Sequence, residues 1–103
     1  MLLLFFKLLI GHALADYPLQ GDTMAMAKNR HSSIHAVRWW YWLTAHSLIN
    51  AGAVLVITGN VWCALAELVL HWLIDFAKCE SWINPHGDQF LHVLCKLGYA
   101  LAL

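Results

Sequence analysis

Charge is scarce in this sequence. Only 12% of its 103 residues are Asp, Glu, Lys or Arg, about half the share of an ordinary soluble domain. Hydrophobic residues reach 61%, and the mean hydropathy is +0.61. A water-soluble chain this short has too little interior to hide so much apolar surface. Its six basic and six acidic residues cancel, so no basic field favours nucleic acid, which is excluded as a partner. Cysteine is sparse as well. Cys63, Cys79 and Cys95 are an odd number without paired spacing, which suits small packing residues and not a disulfide framework. No basic stretch precedes the first apolar run, and "HALADY" makes a poor cleavage site. The start "MLLLFFKLLIGHALADYPLQ" is therefore expected to be a retained span, not a signal peptide. Internal repeats and low-complexity tracts are also lacking.

What is present is four apolar runs, at about 2–16, 39–57, 61–78 and 88–103. The middle two approach the length a bilayer requires. The outer two are short for a hydrocarbon core of ~30 Å at about 1.5 Å per helical residue. "TGN", residues 58–60, forces the second and third runs into a tight antiparallel hairpin. The expected fold is all-α: an integral membrane four-helix antiparallel bundle, one transmembrane domain covering 1–103, with 17–38 as a cytoplasmic connection. Within that connection, "DTMAMAKNR" is compatible with one or two amphipathic turns on the membrane surface, or with plain loop.

Basic residues set the direction. Lys28, Arg30 and Arg38 lie on the first connection, and Lys78 precedes the last one. The positive-inside rule puts both connections in the cytoplasm and both termini in the periplasm of a bacterial inner membrane, as a multi-pass protein. "WWYW", residues 39–42, then forms an aromatic belt at the inner interface.

Depth now brings the polar residues together. His12 and Asp16 close the first span, His46 is about two turns into the second, His71 and Asp75 close the third, and Asp88 and His92 open the fourth. All reach one half of the membrane, whichever way the chain is oriented. His12/Asp16, His71/Asp75 and Asp88/His92 are i, i+4 pairs, so each pair shares a helix face. Ionisable groups in lipid face the bundle interior and pair there, or mark a site. Histidines and carboxylates from several helices at one level are how bundles form metal sites. The expected ligands are His12, His46, His71 and His92, with Asp16 and Asp75 as ligands or supporting carboxylates. The ion expected is a divalent transition metal, zinc first, with manganese or iron as alternatives. The surplus of groups suits supporting carboxylates or a second ion. Asp88 is the candidate general base, with the deeper Glu67 behind it. Glu67 and Lys96 continue the two polar stripes and are expected to pair. Lys7 lies off the stripe, Ser47 is a poor nucleophile in mid-helix, and His31, His35 and His86 read as solvated loop histidines.

Four stretches carry a resemblance: "GHALADYPLQGDTMAMAK" (11–28), "LTAHSLINAG" (43–52), "AELVLHWLIDFAKCE" (66–80) and "DQFLHVLCKLGYA" (88–100). Together they resemble a family of small, uncharacterised membrane proteins of bacteria and their phages, known by a domain-of-unknown-function label. Its pattern is HxxxDyxLQ, TAH, HWxID and DQxxH. A more distant similarity is to membrane-bound proteins described as metal-dependent hydrolases, through Thr44, His46 and Ser47. The resemblance implies intramembrane histidines and no established activity. The expected function is a membrane-embedded metal site, serving hydrolysis of a lipid or lipid-linked substrate, with membrane lipid and a second copy of the chain as partners. The alternatives are a phage-type oligomeric pore or lysis component, a proton or ion pathway, and a purely structural polar network.

Overall fold

The computed structural model describes residues 1–17, 19–31 and 38–103. Among these residues the chain forms five helices and no strand: α1 (Leu2–Asp16), α2 (Gly21–Ala27), α3 (Trp39–Thr58), α4 (Val61–Cys79) and α5 (Pro85–Ala102). His35, expected to be a solvated loop histidine, lies outside the described residues.

Local chemistry sets the helix ends. Gly59 takes the left-handed conformation at φ 66° and donates its N–H to Leu55 O at 2.8 Å, which closes α3. One residue later, Asn60 Oδ1 accepts from the N–H groups of Trp62 and Cys63, which opens α4. "TGN" is thus a stop signal and a start signal back to back. Asn84 caps α5 by accepting from Gly87 N at 2.7 Å, and Pro85 supplies a preset φ in the first turn.

The four long helices form a closed ring. α1 packs on α3 and α5, and α4 packs on the same two neighbours. The C-terminal ends of α1 and α4 meet the N-terminal halves of α3 and α5, so the helices alternate in direction. Gly11 lets α1 come close to α3; a Cβ there would lie 2.6 Å from Ile57 Cδ1. The short α2 rests on α3. A clamp on the end of α4 holds the segment that follows α2. Asn29 donates to Cys79 O at 3.1 Å, and Arg30 and His31 both pair with Glu80. The hydrogen bond from Arg30, then that from His31, holds the Glu80 carboxyl below its usual range.

The distribution of polarity is inverted. The apolar core cluster consists of Leu8, Val54, Cys63, Tyr99 and Ala100, near the end of the bundle away from α2. The other half is filled by histidines, carboxylates and lysines, whereas Leu, Val, Phe and Trp side chains cover the outside. Lys7 is among the exposed residues, off the polar stripe. Of the four expected spans, α3 alone among the described residues is by itself long and apolar enough to cross a membrane; α1, α4 and α5 are not. At about 1.5 Å per residue the 20 residues of α3 reach ~30 Å.

Candidate metal centre

Four helices deliver the site. α1 contributes His12 and Asp16, α3 His46, α4 His71 and Asp75, and α5 Asp88 and His92, all buried. His71 lies at the middle. Its ring stacks on His92 with centroids 4.2 Å apart and meets His46 edge-on at 4.9 Å. His12 lies 5.0 Å from His92 on the far side.

Asp16 divides its two oxygens between two sides. Oδ1 faces His46 Nε2 at 3.1 Å and His71 Nε2 at 3.4 Å. Oδ2 faces His12 Nε2 at 3.5 Å and accepts from Gln89 Nε2 at 3.2 Å. The same Gln89 amide donates to Asp88 Oδ2 at 3.0 Å, and its carbonyl meets His12 Nε2 at 3.0 Å. Asp88 Oδ1 is 3.3 Å from His92 Nε2.

These residues fit a metal ion. Three sets place one donor atom per residue within 4.8 Å of one another: His12, His71 and His92; Asp16, His46 and His71; Asp16, Asp88 and His92. His71 Nε2, Asp16 Oδ1 and Asp88 Oδ1 make no well-aligned hydrogen bond among the described residues and face only one another and neighbouring imidazole nitrogens, at 3.1 to 3.4 Å. Buried polar atoms in that state are costly unless something binds them. Charge points the same way. With the four imidazoles neutral, as ligation requires, the four buried carboxylates (Asp16, Glu67, Asp75, Asp88) exceed the two buried ammonium groups (Lys28, Lys96) by two formal negative charges. Lys78 reaches in only from the rim, 3.5 Å from Asp75 and 3.9 Å from Asp88. A divalent cation supplies the missing charge, and imidazole with carboxylate is a donor set for transition metals.

Asp75 stands apart from the three sets. Its Oδ2 accepts from Lys28 Nζ at 2.6 Å and lies 3.5 Å from His46 Nε2. Glu67 lies behind the site. Its Oε2 is 3.4 Å from His71 Nδ1 and accepts from Lys96 at 2.5 Å, while Oε1 accepts from Tyr99 at 3.0 Å. The pair expected from the two stripes therefore forms, with a tyrosine added.

Residues 4–99 match the family model described as a protein of unknown function (DUF3307). The chain belongs to the DUF3307 family. No curated protein and no solved structure matches it. In this DUF3307 chain, sequence reasoning missed two residues of the site. Gln89 lies three residues before His92 and so on its face, a signal open to use. Lys28 gives no such signal: it follows α2, and its ammonium reaches Asp75 and Gln20 only through the tertiary packing. Gln20 donates to Asp16 O at 3.1 Å and closes the end of α1. Ser47 is fully buried with its hydroxyl unpartnered among the described residues.

Beside the site, a cleft of about 560 Å³ opens between the end of α2 and the turn from α4 to α5. Its lining includes Lys28, Asn29, Lys78, Trp82 and Asn84. Of the two lysines that touch Asp75, Lys78 is partly exposed there, whereas Lys28 is buried against Asp75 and Gln20.

Proposed function

We propose that this DUF3307 protein is an integral membrane protein that holds a divalent transition metal inside its helix ring and hydrolyses a lipid or lipid-linked substrate at the cytoplasmic leaflet. The observation that carries this reading is the set of buried imidazole and carboxylate donors, several without a well-aligned hydrogen bond among the described residues, at one level of four helices. His12, His46, His71, His92, Asp16 and Asp88 would hold the ion, with zinc first and manganese or iron as alternatives. When bound, the ion supplies Lewis acidity, which polarises a substrate oxygen and makes water a better nucleophile at neutral pH. The chain's own residues do the rest. Glu67 orients His71 through Nδ1, as a carboxylate behind a ligating imidazole does. Asp75 holds Lys28 at the mouth. Lys78, partly exposed in the cleft, is the cation suited to meet an anionic headgroup. Asp88 is 3.9 Å from Lys78 and is the carboxylate nearest that mouth among the three ligand sets, so it can accept a proton from water there, or bind the ion.

The membrane assignment is supported by the inverted polarity. A water-soluble monomer rarely shows contiguous apolar patches beyond a few hundred Å², and here the lipid-compatible side chains are on the outside of every long helix. Reporter fusions test the four-span topology. A fusion at Leu103 should read as periplasmic and one at Ser81 as cytoplasmic. Both reading on one side would overturn the four-span arrangement.

Element analysis tests the metal. Protein purified in detergent without chelator should carry at least one transition-metal ion per chain. A preparation that holds none, and takes up none when it is offered, removes the hydrolase reading. The second reading is then a metal-free proton path, favoured by the polar column that runs from Tyr99 and Lys96 through Glu67 and His71 to Asp16. A shared pore is less favoured, because the chain's own helices enclose the polar groups.

A further inference from the structure

We infer that the cluster is a two-ion centre, with Asp16 as the carboxylate that bridges the ions. The inference rests on the metal reading above and goes further in the number of ions and the class of ligand. Two of the ligand sets meet only at Asp16: Asp16, His46 and His71 on one side, and Asp16, Asp88 and His92 on the other. Asp16 presents its two oxygens in different directions: Oδ1 toward His46 and His71 of the first set, and Oδ2 toward His12 and the Gln89 amide, which also donates to Asp88 of the second. On the second side, the Gln89 amide stands between two carboxylates and donates to both. That is where a cation relieves the repulsion of like charges, and the amide supplies only partial positive charge to do so. Helical bundles hold paired ions in this manner, with carboxylates and histidines projecting inward from facing helices. In two-metal hydrolytic sites the ions typically lie about 3.5–4 Å apart and clamp the attacking and leaving oxygens together.

Charge then names the ligand class. One divalent ion cancels the excess of two negative charges among the buried side chains. A second makes the interior two charges positive, which a low-dielectric site tolerates only with an anion alongside. A phosphate-bearing substrate brings that charge, and the adjacent cleft offers the partly exposed Lys78 and the exposed Asn84 to receive it. The second ion should therefore bind more tightly when such an anion is present.

The test uses the full chain in detergent, stripped of metal and titrated with Mn(II), with and without inorganic phosphate. Bound manganese is counted by element analysis, and coupling between ions is read by electron paramagnetic resonance. The expected result is two Mn(II) per chain with phosphate, giving an exchange-coupled spectrum. Asp16→Asn should abolish the coupling, and Asp88→Asn should lose one ion while the other stays on His46 and His71. Circular dichroism checks the fold of both variants, and Asp88→Asn decides if Asp16→Asn fails to fold. One ion per chain in both conditions overturns the two-ion inference and leaves the metal reading standing. Two ions without coupling overturn the bridge. No bound manganese and no other transition metal overturns both.

Discussion

His71→Ala should lose the ion shared with His46 and Asp16, and keep at most the one that Asp16, Asp88 and His92 can hold. His71 belongs to two of the three ligand sets, and its Nε2 is buried without a well-aligned hydrogen bond among the described residues. Its loss removes a donor at the middle of the cluster, between His46 and His92. Asp75→Asn should behave differently. The Asp75 carboxylate is held by Lys28 at 2.6 Å and touches the site only through His46. Removing a carboxylate that supports a ligand typically weakens binding about 10–100-fold and leaves the site in being. Titration of the two stripped variants with Zn(II), against a competing chelator, separates the cases. His31→Ala serves as the control, because His31 is exposed and pairs with Glu80 away from the cluster. If Asp75→Asn loses metal as completely as His71→Ala does, Asp75 is a ligand, and Lys28 must move aside when the ion binds.

The second large effect concerns the pair behind the site. Glu67 and Lys96 are both fully buried and in contact at 2.5 Å. Glu67→Gln leaves the ammonium with a neutral partner in a region of low dielectric. Breaking a buried pair from one side typically costs about 3–5 kcal/mol. The double variant Glu67→Leu with Lys96→Leu should recover much of that loss in a detergent denaturation assay, because neither charge is then left alone. Strictly additive effects of the single and double changes would show that the contact has no energetic weight. The double variant should still bind metal less tightly than the native chain, since His71 Nδ1 loses the carboxylate 3.4 Å away. Stability and metal affinity thus part company in one protein, which separates packing from orientation.

Much of this site is legible in the sequence because helices are periodic. The pairs 12/16, 71/75 and 88/92 need only the i, i+4 rule, and the contact between Glu67 and Lys96 follows from extending two stripes by a turn. Connectivity alone brings the four helix ends together. The roles within the cluster are less accessible. Spacing makes His71 and Asp75 equal members of one face, whereas the structure leaves His71 in the ligand sets and gives Asp75 to Lys28. That difference originates in α2, a seven-residue helix on a connection where no periodicity constrains the side chains. Lys28 reads as a marker of orientation because it is basic and lies on a loop; its burial depends on where α2 packs. Gln89 shares the face of His92 by spacing, but only the approach of α1 makes it a bridge between Asp16 and Asp88.

On the proposed reading of a metal enzyme in lipid, the inverted polarity of the bundle would remove a separation that most enzymes keep. A soluble enzyme has one set of atoms for cohesion, in its apolar interior, and another for chemistry, in a cleft. Apolar contacts give little cohesion between helices surrounded by lipid, where polar contacts and close packing take over. In this chain the histidines, carboxylates and lysines that would do chemistry are also the groups that draw the helices together. Mutational tolerance should therefore be divided by face and not by depth. The outward leucines and valines can be exchanged freely among lipid-compatible residues. Each inward polar position answers to folding and to function at once, so a library selected only for a well-folded chain should return much the same inner residues as one selected for activity.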